Sequence, residues 1–198
     1  MTEDSMQRQV RRAVITVALL NLAYFGIEFV VALRIGSVSL FADSIDFFED
    51  ASVNFLIAIA LQWSALRRAR VGMGLAGILL FPAIATLWVA VHKFVVPLPP
   101  AAVPLSLTGL GALAVNLSCA LLLARVRSHA GSLTRAAFLS ARNDAFANVA
   151  IVIAGVVTAY TLSVWPDLLV GLAIAGLNAD AAREVWQAAR AEHLSATH

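Results

Sequence analysis

Six long apolar runs, at roughly 13–33, 38–62, 72–95, 104–125, 135–160 and 165–181, leave this chain few ways to fold. A helix needs about 20 consecutive, mostly apolar residues to cross the roughly 30 Å hydrocarbon layer of a bilayer. All six runs approach that length. Of the 198 residues, 61% are hydrophobic and 13% charged, with mean hydropathy +0.85. An ordinary soluble domain is about 45–50% apolar and about 25% charged. Lipid must therefore form part of the solvent, and the predicted fold is all-α, a six-helix transmembrane bundle. Residues 1–12 form an N-terminal segment, 13–181 the membrane domain and 182–198 a short polar tail, helical at first and frayed at its end. The remainder is too short for a sizeable soluble domain. The first run is too long for a signal-peptide core and lacks a small-residue cleavage site.

Breakers separate the runs: Arg34-Ile35-Gly36, Pro97-Leu98-Pro99-Pro100 and Trp165-Pro166-Asp167. Pro82 predicts a kink in the third helix, tolerated where neighbouring helices satisfy the freed carbonyl. Basic residues set the orientation. Arg8, Arg11 and Arg12 precede the first run, Arg67, Arg68 and Arg70 join the second and third, and Arg125, Arg127 and Arg135 join the fourth and fifth. Arg183 and Arg190 follow the sixth, whereas the alternate loops hold only Arg34 and Lys93. By the positive-inside rule both termini are cytoplasmic, which requires an even number of spans. No basic stretch is long enough for a nucleic-acid partner. The single cysteine, Cys119, excludes an intramolecular disulfide and a CxxC zinc site and reads as a packing residue. Trp63, Trp88, Trp165 and Trp186 fall near helix ends, as in an aromatic belt. Arg183, Trp186 and Arg190 lie at helical spacing, suited equally to the headgroup plane or to a solvated extension.

The second run, SVSLFADSIDFFEDASVNFL, carries Asp43, Asp46, Glu49 and Asp50 within its apolar length. An ionised side chain at the bilayer centre costs about 2.5–3.5 kcal/mol even on the most lenient scale. At about 100° per residue, Asp46 and Asp50 share a face, with Asp43 and Asn54 close to that stripe and Glu49 at its edge. In the fifth run, Ser140, Asn143, Asp144 and Asn148 lie within roughly 140° of one another. If these two antiparallel helices are neighbours, Asp46 levels with Asp144 and Asp50 with Ser140. Three carboxylates and a hydroxyl then converge near the midplane. Like charges in that medium need a counter-charge. A divalent cation supplies one, protons another, and exchange of one for the other keeps the charge nearly constant. Helix-to-helix glue usually relies on Ser, Thr or Asn instead.

These residues resemble the cation diffusion facilitator family of metal transporters. The stretch Ser37 to Asp46, followed by Asp50-Ala51-Ser52, looks like that family's second-helix signature. Asn21 and Glu28 match polar positions of its first helix and Asn116 one of its fourth. Pro166-Asp167-Leu168-Leu169-Val170-Gly171 looks like the opening of its sixth, with Asp and Pro in reversed order. The resemblance implies a transport site at Asp46, Asp50, Ser140 and Asp144, with Asp43, Glu49, Asn54, Asn143, Asn148 and Glu28 as auxiliary candidates. It implies proton-coupled efflux of a divalent cation from the cytoplasm by alternating access, with no cofactor required. Ser140 stands where the family usually has His. That removes the nitrogen ligand and moves the expected ion from zinc toward manganese, iron(II), cobalt or magnesium, unless water completes a zinc sphere. The chain also stops too soon for the family's cytoplasmic ferredoxin-like domain, and the loop between helices four and five holds only His129. Dimerisation is then expected through the membrane helices, and the short loops and Arg-rich composition point to a bacterial inner membrane.

Arg142 lies roughly 160° around the helix from Ser140 and Asp144. It pairs with Glu49 or Glu28 or extends to the cytoplasm; if it reached the cluster it would be an internal counter-ion. A non-transporting paralogue or partner subunit with a degenerate metal site is the alternative function. Glu28 reads as a structural partner or a proton-relay carboxylate, His92 as a surface residue, and His193 and His198 as solvated. A membrane metallohydrolase is disfavoured because no nucleophile–base pair or His ligand accompanies the acids, so no enzyme is expected.

Overall fold

A computed structural model describes residues 3–60, 84–126 and 131–196. Trp63, Arg67, Arg68, Arg70, Pro82, Arg127, His129 and His198 lie outside them. Six helices are seen: α1 (Glu3–Ile35), α2 (Val38–Ala60), α3 (Ile84–Val95), α4 (Ala102–Ala124), α5 (Gly131–Thr161) and α6 (Trp165–Ala196). The described residues contain no strand, and the fold is all-α.

Two boundaries differ from the hydropathy reading. α1 begins ten residues before the first apolar run, and α6 continues to Ala196, so the tail is not a separate frayed segment over most of its length. Hydropathy marks where a helix meets lipid, not where it stops. Residues 182–196 contain neither Gly nor Pro and are rich in Ala, Arg, Glu and Gln, good helix formers, so nothing ends the helix there.

α2 occupies the centre. It packs against α1, α6 and α5, while α4 joins α1 to α5. One apolar cluster gathers Val14, Val17, Cys119, Leu123 and Ala141; another gathers Leu40, Phe41, Ile45, Leu105, Ile151 and Ile174. Cys119 lies inside the first and donates weakly to Asn21 Oδ1 at 3.5 Å, in keeping with a packing role. The distribution of polarity is inverted relative to a water-soluble protein. Ile27, Leu121, Phe146, Ile153 and Leu177 are exposed, whereas Asn21, Glu28, Asp43, Asn54 and Asn148 are at most 1% exposed. Such a surface is stable only against lipid. Arg8–Ile35, Ala102–Ala124 and Ala137–Thr161 are long and apolar enough to cross a membrane. The 23 residues of α2 reach the same span at about 1.5 Å each, although their acids lower its hydropathy.

The start of α2 is held unusually firmly. Gly36 adopts the left-handed conformation (φ 64°) that turns α1 into α2, and Lys93 on α3 donates to its carbonyl. The first four N–H groups of a helix have no partner within it. Here Val38 and Ser39 donate theirs to Asp167 at 2.9 and 3.1 Å, Leu40 to Ser37 Oγ at 3.1 Å, and Phe41 to the Ser37 carbonyl at 3.3 Å. Asp167 also accepts both serine hydroxyls, Ser37 and Ser39, at 2.6 Å. One turn further along α6, a Cβ at Gly171 would stand 2.7 Å from the Val38–Ser39 backbone, so the missing side chain permits the close approach. The acid that opens α6 is thus the cap of α2. Asp167→Ala would strand four buried donors, each worth about 1–3 kcal/mol when unsatisfied. We expect a clear drop in the thermal unfolding midpoint in mild detergent, with Asp167→Asn intermediate. An unchanged midpoint would show that the cap contributes little.

Candidate metal site

A partly enclosed cavity of about 250 Å³ opens between α2, α5 and α6. α2 contributes Asp46, Glu49 and Asp50, α5 contributes Ser140, Asn143, Asp144 and Ala147, and α6 contributes Ile174, Leu177, Asn178 and Asp180. The one-turn spacings Asp46–Asp50 and Ser140–Asp144 place each pair on one helix face. Among the described residues five carboxyl groups line the cavity, and no Lys or Arg does.

Asp50 is the hub. Its Oδ1 accepts the Ser140 hydroxyl at 3.1 Å and its Oδ2 accepts the Asn21 amide at 3.4 Å. The Asp144 carboxyl lines the same cavity, one turn along α5 from Ser140. Asn54 braces the hub from within α2, donating to the Asp50 carbonyl at 2.7 Å. Asp46 lies close enough to Asp144, Asp43, Glu49 and Asp50 to feel the charge of each.

The cavity thus brings together Asp46, Asp50, Ser140 and Asp144 with two of the auxiliary candidates, Glu49 and Asn143. The other four auxiliary residues, Asp43, Asn54, Asn148 and Glu28, do not line it. They are buried between helices, where Asn148 donates to Asp43 Oδ2 at 2.5 Å and accepts from Asn116 at 2.9 Å. Arg142 is exposed and donates to Asn143 Oδ1 at 3.3 Å; it is not a lining residue, and neither Glu28 oxygen has a donor. His92 is exposed, and Trp165 meets Phe94 edge-on at 5.7 Å. Asn178 and Asp180 are additions that the hydropathy reading missed. They lie within the last four residues of the sixth run, 165–181, and the Asn178-Ala179-Asp180 triplet was the available signal.

Among the described residues no three His, Cys, Asp or Glu side chains stand in a geometry that would by themselves hold a metal ion. An ion held here would need oxygens of Ser140, Asn143 or Asn178, or water, beside the carboxylates. Among the described residues no imidazole or thiolate lines the cavity, and hard oxygen donors of this kind suit magnesium or manganese.

A profile of the cation efflux transmembrane domain matches residues 14–190. The chain belongs to that family, the cation diffusion facilitators. No match is found among curated proteins. The match runs from α1 into α6 and includes every acid of the cavity. A cation efflux chain with lipid-facing apolar helices is an integral membrane protein, and the family is one of metal-cation transporters, not enzymes.

Proposed function

We propose that this cation efflux protein exports a divalent cation from the cytoplasm in exchange for protons, by alternating access, with Asp46, Asp50, Ser140 and Asp144 around the ion. The observation that carries the reading is the hydrogen bond from Ser140 on α5 to Asp50 on α2, inside a cavity that Asp46 and Asp144 also line and to which no described Lys or Arg contributes. Protons held on the cavity carboxyls are what an arriving divalent ion displaces, since metal binding requires deprotonated ligands and releases protons. With both termini cytoplasmic, the cavity lies near the middle of α2 and on the half of α5 nearer the cytoplasm, and it receives the ion from that side. The oxygen donors favour manganese, iron(II), cobalt or magnesium over zinc. Partnership is with a second copy through the membrane helices, in a bacterial inner membrane.

Reconstitution into vesicles loaded with a pH-sensitive dye tests this. Addition of manganese(II) or another of these ions should move protons in the opposite direction. The absence of proton movement with every one of them would sink the proposal.

A further inference from the structure

One charge on the outside of the bundle has no part in the site described above. Between Ala137 and Thr161, the apolar span of α5, Arg142 is the only basic residue. It is exposed, and Leu139, Phe146, Val149 and Ile153 continue its stripe at helical spacing, all of them exposed as well. The guanidinium therefore starts on a face that meets acyl chains. Among the described residues its one polar contact is Asn143 Oδ1 at 3.3 Å, an uncharged acceptor, and no carboxylate pairs with it.

The register of α4 on α5 sets its depth. Asn116 donates to Asn148 at 2.9 Å, and a Cβ at Gly109 would stand 2.9 Å from Ile151. In that antiparallel register Arg125, exposed at the C-cap of α4, levels with roughly Ala137, where the apolar span of α5 begins. Two independent markers thus put the headgroups at one level. Arg142 starts about 7–8 Å deeper, at roughly 1.5 Å per residue. Side chains on a helix lean toward its N-terminus. The N-terminus of α5 lies at this same end, so the long arm of Arg142 rises back toward the headgroups. A guanidinium without a counter-charge is costly in hydrocarbon. A phosphate accepts two of its N–H groups at once and offsets its charge.

We propose that Arg142 binds the phosphate of an anionic phospholipid in the leaflet where α5 begins, with the acyl chains along Leu139 and Phe146. In the orientation proposed above this is the cytoplasmic leaflet. The lipid stands at the rim of the metal cavity, because Asn143 both accepts from Arg142 and lines that cavity. The phosphate holds the guanidinium on the lipid side, away from the cavity acids that attract it. The lipid site does not depend on which ion the cavity takes.

Native mass spectrometry of the full-length protein, released from phosphatidylcholine nanodiscs with phosphatidylglycerol added, tests the site. We expect the parent to retain phosphatidylglycerol in preference to phosphatidylcholine and Arg142→Gln to lose about fivefold of that preference, the worth of one basic residue at an anionic surface. Arg142→Lys, which keeps the charge, should keep most of it. The thermal unfolding midpoint should be the same in all three, since the residue is exposed. Parental preference in Arg142→Gln would overturn the lipid site. Displacement of the lipid by millimolar inorganic phosphate would replace it with a free-anion site. A manganese(II) affinity that rises sharply in Arg142→Gln, with lipid preference unchanged, would place the guanidinium inside the cavity instead. Lipid retention is read without metal, so failure of the lipid site and failure of metal transport are told apart.

Discussion

Asp50→Ala is expected to abolish metal-dependent transport, with manganese(II) affinity falling by at least about 100-fold. Loss of even an outer partner of a metal ligand costs roughly 10–100-fold, and Asp50 joins more of the cavity than any other residue. Ser140 and Asn21 both direct a hydrogen bond to its carboxyl, and Asp144 lines the same cavity. Removing it deletes a negative charge from a low-dielectric site and also frees the two neighbours that it orients. Asp144→Ala should be nearly as severe, because it removes a second acid from the same cavity. Combining the two should add little, since residues in one network are not independent. Isothermal titration with manganese(II) on purified protein provides the measurement. Unchanged affinity in Asp50→Ala would refute the assignment of Asp50 as a ligand.

Much of this arrangement was legible in the sequence because a membrane makes polar residues conspicuous. Asp46 and Asp50 at one-turn spacing, in a run otherwise of Phe, Ile, Leu and Val, could only share a face. The antiparallel order of α2 and α5 then placed Ser140 opposite Asp50. What escaped was whatever depends on neighbours in space. Periodicity along α2 put Asp43 on the same stripe as Asp50, but it could not reveal that Asp43 turns to Asn148, away from the cavity. Asp167 looked like part of a helix-opening motif, and its service as the cap of a different helix needs the packing of α6 on α2. Asn178 and Asp180 sit among the last residues of the sixth run, where averaging hydropathy over a window makes a short polar triplet look like the approach to the end of the span. The same averaging cut α6 short, since a helix leaving the bilayer loses hydropathy before it loses hydrogen bonds.

Ser140→His should turn an oxygen site into a mixed one and move the preference toward zinc. Ser140 occupies the cavity wall, half-buried, with its hydroxyl 3.1 Å from Asp50 Oδ1, so a side chain there addresses the same space as the Asp50 and Asp144 carboxyls. Zinc accepts tetrahedral sets of imidazole and carboxylate, whereas magnesium and manganese prefer oxygen. One new nitrogen ligand, offset by the lost hydroxyl donor to Asp50, should raise zinc binding relative to manganese(II) by about 10–100-fold, equivalent to roughly 1.4–2.8 kcal/mol. Ser140→Ala separates the two contributions: it removes the same hydrogen bond without adding a ligand, and should weaken both ions together while leaving their ratio nearly unchanged. Competition between zinc and manganese(II) on the parent and both variants reads that ratio directly. A Ser140→His protein with the parental ratio would place residue 140 outside the coordination sphere, and the ion would then have to be held by α2, Asp144 and the α6 residues Asn178 and Asp180.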